Sequence, residues 1–306
     1  MPQASGVYVP NGSGGASHLC LRIADLVLAV RSDDPDLRLG VDEATAAFLV
    51  PDEAADVAVH ALLGELSQEI QGERLFDSGS LWQLYQVGGR YLFRFASHTS
   101  GPVPYKVAVF DPQFTTGEVT LHRPLHCGST PAYPLEWPLD ELVMLHLLAG
   151  GRGVEVHACG VVDTAGNGTL FVGQSGAGKS TTANLWRGRE GVQILSDDRI
   201  ILCQDGDTTW MYGTPWHGEA RLASPTRAPL ARVCFLKHGA RNEIAPCTAP
   251  EAAARLFTCS FVPFYHRSAL EFTLAFYDRV ARQVPCCELS FVPDARAVEF
   301  IQSLNA

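Results

Sequence analysis

The chain has no run approaching the ~20 apolar residues of a membrane span. Its first residues, "MPQASGVYVPNGSGGASH", have neither the basic flank nor the apolar core of a secretory leader. Neither a membrane partner nor export is therefore expected. Positive charge is also scarce: 23 Lys plus Arg stand against 33 Asp plus Glu, a formal charge of −10. Such a balance repels the phosphate backbone that a non-specific nucleic-acid binder must neutralise, so nucleic acid is not an expected partner. Internal repeats, heptads and low-complexity runs are missing. Metal-ligand spacing is missing too, because "HCGS" at His126 and "PCCEL" around Cys286 lack a second ligand pair. Nine cysteines in 306 residues are an odd number in a chain far larger than the secreted domains that need stapling. Buried, reduced thiols and a cytoplasmic address are the expectation.

What is present is an ordinary folding composition, 46% hydrophobic, with length enough for two domains. After a glycine-rich tail over residues 1–18, "LCLRIADLVLAV" (19–30) reads as a strand, and "DEAADVAVHALLGEL" (52–66) has helical periodicity. "SLWQLYQVGGRYLFRFAS" and "YKVAVFDPQFTTGEVTLHR" read as hairpins turning at Gly88-Gly89 and Thr116-Gly117. Residues 19–131 thus form a mixed, mainly antiparallel sheet module. The proline-rich connector "STPAYPLEWP" leads into a helical "LDELVMLHLLAGG", with Gly150 and Gly151 as its stop. From 132 to 306 the order is strand, turn at Asn167-Gly168, strand, glycine loop, helix, strand, a hairpin at Asp205-Gly206, and further strands and two helices. The fold class expected is α/β, with an α+β mixed sheet.

The glycine loop carries the chemistry. Gly173, Gln174, Ser175, Gly176, Ala177, Gly178, Lys179, Ser180 and Thr181 satisfy G-x-x-x-x-G-K-S between an apolar strand and a helix, the context of a P-loop. Glycines allow the backbone N–H groups to turn inward around phosphates, and the helix N-terminus adds partial positive charge. Lys179 then reaches the outer phosphates and the Ser180 hydroxyl can hold Mg²⁺, so ATP with Mg²⁺ is the fitting ligand. "SDDR" at 196–199 puts Asp197 and Asp198 at a strand end, where they serve metal and acceptor or form a turn or cap. Arg199 is a phosphate contact or a partner of one of these carboxylates. His157 lies on an apolar strand, as a core histidine or a member of the site.

The ordered set "HACG" from His157, "GQSGAGKST" and "SDDR" resembles the catalytic domain of the HPr kinase/phosphorylase family. More loosely, its P-loop resembles that of the ATP-type phosphoenolpyruvate carboxykinases. The likeness runs from about Glu136 to the C-terminus. It implies active-site roles for His157, Lys179 and Asp197, with Asp197 taking the acceptor proton. It also implies Mg²⁺ on Ser180 and Glu219, with Asp198 completing the metal shell. Gln174 stands where that family usually has Asp, Thr181 where it usually has Glu, and no HPr-engaging segment is recognisable. The function implied is ATP-dependent phosphoryl transfer to a serine-type hydroxyl on a small molecule or peptide rather than HPr. Hydrolysis of ATP, or nucleotide sensing with little turnover, are the alternatives. Self-association into a homo-oligomer stays open.

Overall fold

In the computed structural model, residues 7–8, 17–97, 101–126 and 131–304 are described. The expected tail lies mostly outside the described residues, but its described parts, Val7–Tyr8 and Ser17–Ile23, are strands. The chain divides into two compact units, Met1–Val143 and Met144–Ala306. Both are built on a large sheet, and the protein is a mixed α/β structure.

The first unit contains β1 (Val7–Tyr8), β2 (Ser17–Ile23), β3 (Leu26–Ser32), β4 (Gly40–Val41), the short helix α1 (Glu43–Ala46) and β5 (Val57–Gly64). There follow β6 (Glu73–Asp77), β7 (Trp82–Val87), β8 (Arg90–Phe95), β9 (Lys106–Phe110), β10 (Thr116–His122) and the start of α2 (Leu139–Leu147). Eight strands pair in the order β2-β3-β5-β10-β9-β8-β7-β6, antiparallel except at β3–β5 and β5–β10.

Three expectations are corrected here. The apolar stretch from Leu19 is two strands joined at Ala24, whose φ of 54° makes the turn. The stretch expected as a helix over 52–66 contains the strand β5. Val57, Val59, Ala61 and Leu63 alternate into the core, a period of two that the helical spacing of other apolar residues masks. The second hairpin turns before Thr116, because Asp111 accepts hydrogen bonds from Thr115 Oγ1 and Thr116 N. Gly117 lies inside β10, where a Cβ would come within 2.4 Å of the Phe110 ring.

The unit boundary also falls beyond the connector. Ala132 exchanges backbone hydrogen bonds with Arg38 and Gly40, and the buried Lys106 ammonium donates to Glu136 O at 2.9 Å. Ala132 and Glu136 are thereby tied to the first unit.

The second unit begins within α2, which ends in a π-helical turn over Leu148–Arg152 with Gly151 at φ 103°. It comprises β11 (Val154–Val162), β12 (Gly168–Val172), α3 (Lys179–Trp186), β13 (Gln193–Ser196), β14 (Arg199–Asp205) and β15 (Thr208–Gly213). After these come β16 (Arg227–His238), β17 (Glu243–Pro246), α4 (Ala249–Thr258), β18 (Ser260–Phe261), α5 (Arg267–Gln283), β19 (Cys286–Phe291) and α6 (Ala295–Ser303). The path β12-β11-β14-β15-β16 closes through a parallel β12–β16 pairing.

Successive residues of β12 face opposite sides, so Leu170 and Val172 pack in one core with α4 and α5, while Phe171 packs in another with α3 and α6. This layering carries the site, because β12 runs into the glycine loop, β14 begins just after Asp198, and His157 on β11 pairs with Arg199 at that start. Among the described residues the cysteines form no disulfide; Cys127 lies outside the described residues.

Candidate functional site

The strand β12 is buried along its whole length and delivers the chain to Gly173, where a Cβ would come within 2.4 Å of the Ala177 Cβ. The loop then turns back on itself, with Ala177 N donating to Gln174 O at 3.1 Å. Gly176 and Gly178 have φ of 82° and 103°, values that L side chains rarely adopt. Gly178 caps α3 with no side-chain hydrogen bond, so the first amides of the helix are left to the loop. Gln174, Ser175 and Gly176 are exposed, as is Thr181 on the helix.

Lys179 is buried, and its ammonium donates to Gly173 O at 2.8 Å and Gln174 O at 3.1 Å. It thus lies folded across the mouth of the loop. Burial lowers its pKa below the ordinary lysine value, and the Asp198 carboxylate opposes that shift. Lys179 and Asp198 are therefore within electrostatic reach of each other.

The two aspartates separate in environment. Asp197 is fully buried. Its Oδ1 accepts from Gly218 N at 3.0 Å and Leu222 N at 3.2 Å, and its Oδ2 from Ala220 N at 2.9 Å. Ser180 Oγ approaches Oδ2 at 3.4 Å. Asp197 thus links the P-loop helix to the loop 214–222, and Gly218 is required there, because a Cβ would meet Asp197 Oδ2 at 2.7 Å. Arg187, the residue that caps the C-terminal end of α3, donates to Ala220 O and closes the same connection.

Asp198 instead turns toward β11. Its Oδ1 lies 2.9 Å from His157 Nε2, and Arg199 Nη1 pairs with its Oδ2. Burial would raise the Asp198 carboxyl, but the hydrogen bond from His157 and the charges of Arg199, His157 and Lys179 outweigh it and hold the pKa below the usual value. An ionised carboxylate only accepts hydrogen bonds. His157 Nε2 is then the donor in this contact, and in the neutral imidazole that puts the lone pair on Nδ1.

His157 is fixed by its strand: its backbone N donates to Cys259 O at 2.7 Å, and its Cα partner across the ladder is Arg199. No family model matches the chain, and no curated protein matches it.

Of the residues expected in the site, the structure gathers Lys179, Ser180 and Asp197 on one side and His157 with Asp198 on the other, the two groups joined by the charge of Lys179. Glu219 is exposed and makes no hydrogen bond or ion pair among the described residues, although its neighbours Gly218 and Ala220 bind Asp197. Asp198 is not beside Ser180; Asp197 is. Among the described residues no three His, Cys, Asp or Glu side chains gather into a metal cage. The Ser180 hydroxyl, held beside the Asp197 carboxylate, still suits Mg²⁺, which keeps several waters and takes one or two protein ligands beside substrate phosphates.

Three contributors were not anticipated from sequence. His238, at the end of β16, places Nε2 3.0 Å from Gly176 O and stacks on Phe291. Gly218 makes room for Asp197. Glu155 lies two residues before His157 on β11, and an acid at that spacing in so apolar a strand was a usable signal.

Proposed function

We propose that the chain is a kinase with an HPr kinase-like P-loop domain. It would transfer the γ-phosphoryl group of MgATP to a serine-type hydroxyl on a small molecule or peptide, in the cytoplasm. The observation that carries this reading is the His157–Asp198 pair lying within charge reach of Lys179 at the P-loop. A proton acceptor thus stands beside a phosphate grip, which phosphoryl transfer to an alcohol requires and nucleotide binding alone does not.

In this reading the amides of Gly173–Ser180 and the Lys179 ammonium hold the outer phosphates, with Lys179 exchanging its two loop carbonyls for phosphate oxygens. Ser180, backed by Asp197, would hold Mg²⁺, which when bound neutralises phosphate charge. His157 takes the acceptor proton on Nδ1 while Asp198 holds Nε2–H, as the acceptor oxygen bonds to the γ-phosphorus and the bond to ADP breaks. Asp197 therefore takes the place beside the metal expected for Asp198, and the acceptor proton goes to His157 rather than to Asp197. The tightly bonded Asp197 has little freedom to act as a base, and Asp198 is committed to His157 and Arg199.

The test offers HPr, free hydroxy amino acids and serine peptides together with MgATP, and identifies the phosphorylated product by mass. Phosphate on one of the smaller acceptors is the expected outcome. Exclusive phosphorylation of HPr would overturn the acceptor assignment, and ATP loss at equal rates with and without acceptors would replace the kinase by a hydrolase.

A further inference from the structure

Glu155 is a wholly buried carboxylate with no part in holding phosphate, metal or acceptor. A buried carboxylate persists only where a cation and good geometry compensate its lost hydration. The cation facing it is Arg199, whose Nε lies 3.5 Å from Glu155 Oε1. The same guanidinium pairs through Nη1 with Asp198 Oδ2. The guanidinium lies over Phe261, with Cζ 4.0 Å from the ring centroid. The backbone places these groups in line. Glu155 and His157 share a face of β11, Arg199 is the Cα partner of His157, and Phe261 is the Cα partner of Glu155.

From this geometry we infer that Glu155 and Arg199 are positioning residues for the His157–Asp198 pair. Glu155 and Phe261 fix the guanidinium plane, the guanidinium fixes Asp198, and Asp198 aims the imidazole. Two carboxylates at different edges of one planar fork are a task for arginine; a lysine ammonium is a point charge and cannot grip both with fixed orientation. Arg199, with 15% of its side chain exposed and both ends engaged, is thereby a brace within the site and not a phosphate contact. This inference rests on the reading of His157 as the proton acceptor, but the geometry it invokes can be tested without that reading.

The experiment uses the full chain without nucleotide, labelled with ¹⁵N-histidine, and follows the His157 Nε2–H proton by NMR, assigned by its loss in His157→Gln. The hydrogen-bonded proton is expected in the wild type and expected to be lost to solvent exchange in Glu155→Gln and Arg199→Lys. It should persist in Ile200→Val, which perturbs the core on the opposite face of β14. In parallel, Glu155→Gln should lower kcat by roughly tenfold or more while leaving ATP affinity within about twofold, as displacement of a catalytic group does. An unchanged proton signal in both brace variants would overturn the inference. So would a loss of ATP affinity in Arg199→Lys with the signal retained, which would make Arg199 a phosphate contact. If the wild type transfers no phosphoryl group, the kinase reading fails, and the proton signal still decides the brace.

Discussion

Asp197 and Asp198 are consecutive, yet one carboxylate is closed off by three backbone amides and the other faces an imidazole and a guanidinium. Their isosteric amides should therefore fail differently. In Asp197→Asn an NH₂ group must replace one of the two accepting oxygens and confront a backbone N–H. A loss of about 1–3 kcal/mol in unfolding free energy is expected, the cost of a buried unmatched polar group. Asp198→Asn should fold normally and bind ATP, but lose about 10²-fold or more in phosphoryl transfer, the scale of general-base catalysis. Denaturant unfolding, ATP titration and turnover of the two variants check this. Equal stability and equal loss of turnover would show that the two side chains do not divide the work.

At the scale of elements, the loop 214–222 and α3 behave as one piece, because Asp197 and Arg187 tie them together. Gly218→Ala drives a methyl to within 2.7 Å of Asp197 Oδ2, so the loop should open while the sheet stays intact. Hydrogen exchange should then quicken at the amides of 218, 220 and 222 and stay unchanged in β12; protection like that of the wild type would contradict the coupling.

The P-loop was legible in sequence because its glycines, lysine and serine have nearly fixed spacing and its strand and helix flank it directly. The His157–Asp198 contact was legible only as proximity. Which of two adjacent aspartates turns toward the histidine depends on strand register and on the 214–222 loop, which no local pattern encodes. The strand β5 was hidden because "VAVHALLG" satisfies both the strand and the helix period. The longest helix, α5, was not anticipated. Its buried residues Ala269, Thr273, Phe276, Tyr277 and Val280 keep helical spacing, but half-buried Phe272 and exposed Leu274 among them blur the stripe.

Across the whole molecule the two units carry different ionisable burdens. In the first, Lys106 is enclosed, and burial, opposed by Glu136 and Asp140, lowers its pKa to about 8. An unfolded lysine titrates near 10.4. Between these values the unfolded chain binds the proton that the folded chain has released, so stability rises with pH across that window and its deficit is complete below pH 8. Relative to Lys106→Met, the wild type should gain about 2.5 kcal/mol from pH 8 to 10.4. Urea unfolding of both proteins along that series checks it, and parallel curves would place the lysine in contact with water.

In the second unit, ligand binding should be visible as stability: MgATP at about 100 times its dissociation constant adds about 2.7 kcal/mol to whatever unfolds with the site. Lys179→Ala should abolish that gain.

No described helix is long and apolar enough to cross a membrane. The fate of the transferred phosphate tests the kinase reading most directly. The full chain is incubated with γ-labelled ATP, Mg²⁺ and a pool of metabolites and peptides extracted from cells, beside Asp198→Asn. Label should accumulate on a hydroxyl-bearing compound with the wild type and fall about 10²-fold with the variant. Label released only as inorganic phosphate, at a rate indifferent to the pool, would contradict the account.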